Sequence, residues 1–474
     1  MQSKQDQLQA HLYVLGRVVS ALTRGEPDAA ETPMRRFTGA SFGGSVLAGV
    51  LVAGAAVLGL VLPSSGTAWR APGTLVVEKE TGTRYLLVDG VLHPVLNYAS
   101  ARLLVGSQLH VEYVAAKTIG AVPRGVPLGI PGAPDALPQP GWPGGRDWAL
   151  CADPAVGEAS ASVRTVVALG SARPIPTPLD EGALLVQGPD GRLYLAQHDQ
   201  RMLVPDRAAL VVLGYGSSQP WRVSAPWLAA LPTGPDLRAP EVPGRGADGP
   251  RVGGQPTKAG QVLAVSTGTG GGTGTSYFLV LQDGLAPLSA LEATLLIGEP
   301  ATRGAYPGGR VAAVPVNSSD AAAVPLSATK VAVGGLPTVI PALVEPVDGR
   351  PQAPCVRVGL AADGSVATVR LGLTDSVTTD GSQAAANRAL LPPGGGLLAQ
   401  VRAAPGVQGG KEYLVTDLGA KYPLGADAAA ALGFSENSPT TVPSNLLDLL
   451  PTGPALDQGN AAQEQPVTAP SADR

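Results

Sequence analysis

The pattern of charged and apolar positions changes abruptly after residue 36. From Phe37 to Leu62 the chain has 26 consecutive positions without a charged side chain. About 20 apolar residues in a helix are enough to cross the hydrocarbon core of a bilayer. The run therefore predicts a transmembrane helix at 37–62. The alternative is a cleaved signal peptide, which the 36-residue lead and the length of the apolar run disfavour.

The charges that flank this run predict its orientation. Arg35 and Arg36 adjoin it on the N-terminal side, whereas Glu78 and Glu80 come early on the other side. An excess of Lys and Arg marks the cytoplasmic flank of a membrane span. We therefore expect a single-pass protein of the cytoplasmic membrane, with residues 1–36 in the cytoplasm and the larger part outside.

The cytoplasmic segment repeats apolar residues at the spacing of one helix face. The predicted partner-docking positions are Leu8, Leu12, Leu15, Val18, Val19 and Leu22. A single helix in a 36-residue segment has no core of its own, so this face either docks on a partner or lies on the membrane surface. The low number of Lys and Arg residues in the segment favours the partner.

The composition beyond the span indicates many short elements joined by turns. The chain has 62 Gly and 46 Pro in 474 residues, yet 44% of its residues are hydrophobic, which is enough to form a core. This combination favours β-rich structure over long helices. The net charge is −4 and no Lys/Arg-rich patch stands out in the sequence, so there is little support for nucleic acid as a partner and we expect none.

One motif occurs four times in the exported part. Each copy has a Tyr in a first strand, an Asp in a tight turn and a Pro that ends a second strand, and an Ala/Leu-rich helical stretch follows. The motif residues are Tyr85, Asp89 and Pro94; Tyr194, Asp199 and Pro205; Tyr277, Asp283 and Pro287; and Tyr413, Asp417 and Pro423. The recurring aspartates are explained by the turn rather than by a paired-carboxylate site.

The spacing of the motifs indicates two insertions. Leu-Pro-Thr-Gly-Pro occurs at 231–235 and 450–454, and its separation of 219 equals that of Tyr194 and Tyr413. The motif spacings of 109, 83 and 136 exclude a regular solenoid. The extra sequence lies near 125–180 and 310–390, and we expect the two insertions to pack together as a central domain.

Each insertion contains one of the two cysteines, Cys151 and Cys355. Two cysteines in an exported domain predict one disulfide, which would close a loop of 204 residues. Two free buried thiols are the alternative.

The predicted fold class is therefore a single N-terminal transmembrane helix followed by an elongated, β-rich α+β ectodomain with four hairpin-plus-helix repeats around a central β domain. The predicted boundaries are 1–36 for the cytoplasmic segment, 37–62 for the span, 70–120, 181–240, 257–305 and 393–456 for repeats 1 to 4, 121–180 and 306–392 for the central domain, and 457–474 for a disordered tail.

Several segments resemble the EccB family, a core membrane component of the actinobacterial type VII (ESX) secretion system. They are Gln7-Leu8, Arg17–Leu22, Val77–Tyr85, Leu92–Ala101 and Val442–Pro454. The resemblance covers nearly the whole chain. The Gly/Thr-rich insertion at 267–276 departs from the family and is expected to lengthen a loop in repeat 3.

The resemblance implies a scaffold subunit of a secretion pore. Its implied partners are EccC (the FtsK/SpoIIIE-type ATPase), EccD, EccE and other copies of the chain itself, with a mycosin protease as a neighbour. Family repeats resemble cell-wall-binding modules, so a peptidoglycan-binding membrane anchor is the alternative function.

Enzyme chemistry finds little support in the sequence, although some family members are described as ATPases. The segment Gly406–Glu412 lacks the spacing and the Ser/Thr of a phosphate-binding loop, and Gly268–Gly272 has no Lys. The four histidines are His11, His93, His110 and His198, without metal-ligand spacing. We expect no catalytic residues, no metal and no cofactor.

Overall fold

The structure is a computed structural model that describes residues 4–25, 33–61, 67–153, 163–170, 176–268, 273–347, 352–375, 387–402, 410–434 and 439–466. The α-helices are α1 (Lys4–Arg24), α2 (Pro33–Val61), α3 (Tyr98–Val105), α4 (Ala116–Ile119), α5 (Arg207–Val212), α6 (Ala225–Ala230), α7 (Ala290–Gly298), α8 (Ser318–Ala322), α9 (Ala428–Leu432), α10 (Ser444–Leu447) and α11 (Gln458–Ala461). The strands are β1 (Thr74–Glu78), β2 (Arg84–Val88), β3 (Val91–Pro94), β4 (His110–Val114), β5 (Asp147–Asp153), β6 (Arg164–Leu169), β7 (Thr177–Pro178), β8 (Leu184–Gln187), β9 (Leu193–Gln197), β10 (Gln200–Val204), β11 (Trp221–Arg222), β12 (Val262–Gly268), β13 (Thr273–Leu281), β14 (Gly284–Leu288), β15 (Val314–Val316), β16 (Gln352–Leu360), β17 (Val366–Asp375), β18 (Asn387–Leu390), β19 (Leu397–Arg402), β20 (Glu412–Val415), β21 (Lys421–Pro423) and β22 (Thr440–Pro443).

The chain divides into two compact units. The first comprises residues 1–82 and 111–121, and the second comprises residues 83–110 and 122–474. In the first unit, strand β1 buries Leu75 and Val76, and the N–H of Lys79 donates a hydrogen bond to the carbonyl of Val114 at 2.9 Å.

Helix α2 covers the apolar run of the sequence. Within the described ranges, no helix combines the length and the apolar content that a bilayer crossing requires. The membrane span at 37–62 therefore stays a prediction, and its last residue, Leu62, lies outside the described residues.

Three sheets of the second unit share one topology. Their strand orders are β10-β9-β8-β11, β14-β13-β12-β15 and β21-β20-β19-β22, with an antiparallel meander of three strands and a fourth strand parallel to the first. A helix follows each meander (α5, α7 and α9), and a second short helix follows each fourth strand (α6, α8 and α10). The hairpin β2–β3 is likewise followed by a helix, α3.

The third strand of each meander also pairs with a segment that follows the second helix. These parallel bridges are Leu92↔Arg124, Arg201↔Thr233, Leu285↔Leu326 and Lys421↔Thr452. Thr233 and Thr452 belong to the two Leu-Pro-Thr-Gly-Pro segments, so the repeated pentapeptide is this pairing segment. It covers backbone groups that an edge strand would otherwise expose.

The central sheet is formed by the two insertions, in the order β18-β6-β5-β16-β17-β7. Trp148 and Val356 on one of its faces are fully buried against Trp227 of α6 and Leu447 of α10. Repeats 2 and 4 therefore pack on the same face of this sheet. Repeat 4 also packs on α3 of repeat 1, and repeat 2 on α7 of repeat 3.

Several segments differ from the sequence-based expectation. The tail from residue 457 begins with α11, in which Ala461 is fully buried, and residues 467–474 lie outside the described residues. The stretch at 267–276 extends β12 and β13 as paired strands up to Gly268 and Thr273 rather than a loop alone. Strand β15 pairs with β12, so this sheet continues beyond the predicted boundary at residue 305.

Candidate functional site

The four motif aspartates lie in the turns of four separate hairpins and are not brought together into one site. Asp89 and Asp199 have positive φ values of 48° and 60°, a conformation that Asp tolerates better than most residues. Asp417 accepts a hydrogen bond from the N–H of Gly394 at 2.8 Å. The turn interpretation therefore describes their backbone role but not their tertiary contacts.

Two of these carboxylates connect their hairpins to segments that are distant in the sequence. Asp199 accepts hydrogen bonds from the N–H of Leu371 at 2.8 Å and from Nη1 of Arg370 at 2.6 Å, both on β17 of the central sheet. Asp283 accepts from Oγ of Ser327 at 2.6 Å, and this bond lowers the pKa of Asp283 below its usual value. The turn residue thus connects each hairpin to a neighbouring segment.

In three of the four hairpins, the cationic side chain of an Arg or Lys lies over the ring of the motif tyrosine. The guanidinium of Arg124 lies 4.6 Å from the Tyr85 ring, and that of Arg201 lies 5.7 Å from the Tyr194 ring. Nζ of Lys421 lies 5.4 Å from the Tyr413 ring. These contacts stabilise the meander surface.

The motif prolines differ in position from hairpin to hairpin. Pro94 and Pro423 each end a strand directly opposite the motif Tyr. Pro205 follows the end of β10, and Pro287 lies one residue before the end of β14.

The structure contains a disulfide between Cys151 and Cys355, which occupy directly opposite positions on β5 and β16. Both residues are fully buried and pack with Val166. Nearby on the same two strands, the guanidinium of Arg357 makes a bidentate pair with Asp147, with Nε donating to Oδ1 at 2.7 Å. Asp147 raises the pKa of Arg357 above its ordinary value. The centre of the sheet is thus held by covalent and ionic cross-strand contacts.

Most of the predicted docking residues of α1 are exposed. The exposed members are Leu8, Leu12, Leu15, Val18 and Leu22, and Val19 is half-buried. Contiguous exposed apolar surface is typical of interaction sites, so partner docking stays a prediction for this face.

The candidate enzyme motifs do not assemble into a site. Of the phosphate-loop candidate, residues 406–409 lie outside the described residues, and Nζ of Lys411 lies 5.7 Å from the Tyr413 ring. His93 Nδ1 is 2.9 Å from the Val126 carbonyl, and His198 Nε2 is 3.7 Å from a Glu181 carboxylate oxygen. Across the described ranges, no group of three or more His, Cys, Asp or Glu side chains is arranged to hold a metal ion.

An apolar cleft of about 270 Å³ lies between α6 and α10, with Leu150 of the central sheet among its lining residues. Pro226 and Asn445 line it from the two helices and are separated by 219 residues, as are Ala230 and Leu449. The cleft therefore lies between equivalent helices of repeats 2 and 4.

One set of aromatic hydrogen-bond donors has no recognisable pattern in the sequence. Trp221 Nε1 donates to the Val344 carbonyl at 2.7 Å, and Trp227 Nε1 donates to the Pro354 carbonyl at 2.9 Å. The buried Tyr215 hydroxyl donates to the Pro341 carbonyl at 2.5 Å, and burial raises its pKa to about 12. These bonds fix the coil at 341–344 and the beginning of β16.

Proteins of known sequence are similar to this chain over nearly its whole length. The chain is 31% identical over 476 residues to the ESX-3 secretion system ATPase EccB3 of Mycolicibacterium smegmatis, covering 95% of this chain and 88% of that protein. It is 30% identical over 485 residues to the ESX-5 secretion system ATPase EccB5 of Mycobacterium tuberculosis, covering 98% and 93%.

Solved structures extend this similarity to three dimensions. A chain of the intact ESX-5 inner membrane complex matches with a TM-score of 0.61 and 25% identity, covering 99% of this chain and 97% of that one. A chain of the ESX-5 periplasmic assembly gives 0.64 and 26%, covering 87% and 99%. The EccB3 dimer from the ESX-3 core complex gives 0.59 and 28%, covering 82% and 99%.

The family comparison agrees with the resemblance carried by the sequence motifs. The matching family is described as type VII secretion system ESX-1, transport TM domain B, and the match spans residues 1–470. The chain belongs to this family, EccB.

Proposed function

We propose that this protein is a structural subunit of a type VII secretion inner membrane complex, where it scaffolds the pore and the periplasmic assembly above it. The observation that carries the proposal is the similarity to a subunit of the intact ESX-5 complex over 99% of this chain. Similarity of this extent includes both units of the chain rather than one shared module.

The proposed anchor is a single transmembrane helix at 37–62, with the N-terminus in the cytoplasm and the rest of the chain in the periplasm. The uncharged run and the flanking Arg35 and Arg36 support this topology. The similarity to a periplasmic assembly over 87% of this chain supports the location of the large domain.

The proposed mechanism is mechanical. Helix α1 docks on another subunit in the cytoplasm, and four repeats around the disulfide-linked central domain contact other copies of the chain. The proposed partners are EccC, EccD and EccE, with mycosin as a neighbour. Work driven by ATP falls to EccC.

The relatives carry the word ATPase in their names, so the absence of catalysis needs its own test. We expect titration of the purified full-length protein with ATP and Mg²⁺ to give no saturable heat. Saturable binding together with hydrolysis above a boiled control would contradict the scaffold proposal.

The main test is affinity purification of the tagged full-length protein from solubilised membranes, followed by mass spectrometry. We expect an FtsK/SpoIIIE-type ATPase and a multi-span membrane protein to be recovered with it. Recovery of the protein alone, or only with cell-wall enzymes, would refute the proposal and favour a peptidoglycan-binding anchor. Retention of the protein by insoluble peptidoglycan would then identify that role.

A further inference from the structure

The apolar residues of α1 are separated alternately by four and three positions. The seam of α1, as we call it, consists of Leu8, Leu12, Leu15, Val19 and Leu22. In a heptad, this spacing places Leu8, Leu15 and Leu22 at d positions. Leu12 and Val19 then occupy a positions. All five fall within about 80° of the helix circumference, and the exposed Val18 adjoins them at a g position. The spacing indicates a seam between two helices.

The fold of the chain leaves most of this seam in solvent. Leu8 and Leu12 are each 59% exposed, and Leu22 is 81% exposed. Ser20, about 120° around the helix from Leu8, is only 2% exposed. The covered side of α1 thus adjoins the seam at the half-buried Val19, and the other four seam residues remain exposed to a second helix.

We propose that α1 pairs in parallel with α1 of a second copy of this chain and forms a two-stranded coiled coil. The inference rests on the proposed function, because it identifies the partner on which α1 docks. Leu at all three d positions and β-branched Val19 at one of the two a positions favour two strands. Each α1 leads into the same proposed membrane anchor, so two copies in one membrane present their helices side by side in the same direction.

The residues beside the seam suit a self-pair. The flanking e and g positions between Leu8 and Val19 hold Gln9, His11, Gly16 and Val18. No Asp, Glu, Lys or Arg is among them, so two identical faces meet without strong repulsion between like charges. The basic residues of α1 are Lys4, Arg17 and Arg24, fewer than the polar face of an interfacial helix usually holds, which disfavours the membrane surface as the occupant. A similar chain has been solved as a dimer.

Cysteine cross-linking of the full-length protein in membranes tests the pairing. The only two native cysteines are joined to each other, so an introduced thiol is the only free one. Under mild oxidation we expect Leu8→Cys and Leu22→Cys each to form a same-residue disulfide dimer. In an antiparallel pair the two Leu8 positions would be about 20 Å apart, and only mixed dimers would form.

The matched control is Ala10→Cys, which is exposed on the same helix but points away from the seam at an f position. We expect it to give at least about fivefold less dimer than Leu8→Cys, because f positions of a parallel pair face apart. Adding Leu12→Asp should abolish the Leu8→Cys dimer, whereas adding Ala10→Asp should leave it.

Equal dimer yields from Leu8→Cys and Ala10→Cys would overturn the coiled coil, as would a cross-link from Leu8→Cys to a different protein. If the other membrane components still copurify with the chain in that case, the structural role stands and only the identity of the partner is wrong. Loss of those components from the wild type would refute the proposed function itself.

Discussion

At the scale of single residues, one carboxylate can satisfy a local turn and a distant sheet at once. Asp199 adopts a left-handed backbone conformation in the β9–β10 turn and accepts hydrogen bonds from Leu371 and Arg370. Asp199 stabilises the fold because it tolerates a positive φ and because its carboxylate oxygens accept hydrogen bonds. Substitutions can separate these two contributions to stability.

We expect Asp199→Ala to lower the free energy of unfolding by about 1–2 kcal/mol, because it leaves the Leu371 N–H without its acceptor and strains the turn. Asp199→Asn should cost less, since Asn tolerates positive φ and keeps one acceptor oxygen. Urea unfolding followed by tryptophan fluorescence measures both. Equal losses of unfolding free energy in Asp199→Ala and Asp199→Asn would contradict the role assigned to the positive φ and the carboxylate acceptor.

The buried Tyr215 predicts a pH dependence at the alkaline end. Burial raises its pKa from 10.0 to about 12, so the unfolded chain ionises first as the pH rises. Stability from this group is fully present below pH 10 and is lost as the pH rises towards about 12. We expect Tyr215→Phe to be less stable at neutral pH by about 1 kcal/mol, because a hydrogen bond is lost. Its urea midpoint should fall less steeply with alkaline pH, and parallel curves would exclude this explanation.

At the scale of elements, α7 shows how a helix N-terminus also secures a neighbouring coil. Ser289 Oγ accepts from the N–H of Glu292 at 3.1 Å, and Glu292 Oε2 accepts from the N–H of Ser289 at 2.9 Å. Glu292 Oε1 also accepts from the N–H of Val333 at 2.7 Å. The capping box therefore holds the segment near Val333 against the helix.

We expect Ser289→Ala to cost about 1 kcal/mol, the usual effect of losing an N-cap. Glu292→Ala should cost about 2–4 kcal/mol, because two N–H donors lose a charged acceptor in a buried site. Thermal unfolding by circular dichroism compares the two variants. A smaller effect for Glu292→Ala than for Ser289→Ala would show that the contact with Val333 adds no stability.

At the scale of the whole molecule, the disulfide joins two sequence insertions that are 204 residues apart. The chain-entropy model gives about 5 kcal/mol as an upper figure for a loop of this length. We expect Cys151→Ser to loosen the central sheet while each repeat stays folded. Trp148 and Trp227 are fully buried beside this sheet, so their fluorescence reports its unfolding.

The control for Cys151→Ser is the wild type with its disulfide reduced, which lacks the cross-link but keeps both sulfur atoms. The two should unfold at similar denaturant concentrations, well below the oxidised wild type. A Cys151→Ser protein that melts like the oxidised wild type would refute a stabilising role for the bond.

The C-terminal segment contributes to the packing of repeats 1 and 4. Ala461 of α11 is fully buried in a cluster with Leu103 of α3, and the N–H of Gln465 donates to the Pro127 carbonyl at 2.8 Å. We expect truncation after residue 456 to lower the melting temperature by about 2–4 °C for each kcal/mol lost. Truncation after residue 466 keeps these contacts and serves as the control; equal melting temperatures would show that α11 adds nothing.

The sequence alone determined the local structure of the motifs. Asp-Gly-type turns between apolar runs, such as Asp89-Gly90, predict hairpins because their backbone needs are local. The helices after the meanders were predictable from Ala/Leu-rich stretches, as at 428–432. The 219-residue separation identified repeats 2 and 4 as related units before any contact was known.

Only the tertiary structure decided what these units pack against. Trp221, Trp227 and Tyr215 fix the coil at 341–344 and the beginning of β16 through single hydrogen bonds to backbone carbonyls. Such bonds leave no periodic pattern in a sequence. The lack of an apolar period predicts disorder at 457–474, yet one buried Ala and a few backbone bonds order residues 457–466. Strand order, the direct opposition of Cys151 and Cys355, and the partners of Asp199 all depend on residues distant in the chain, which local propensities do not encode.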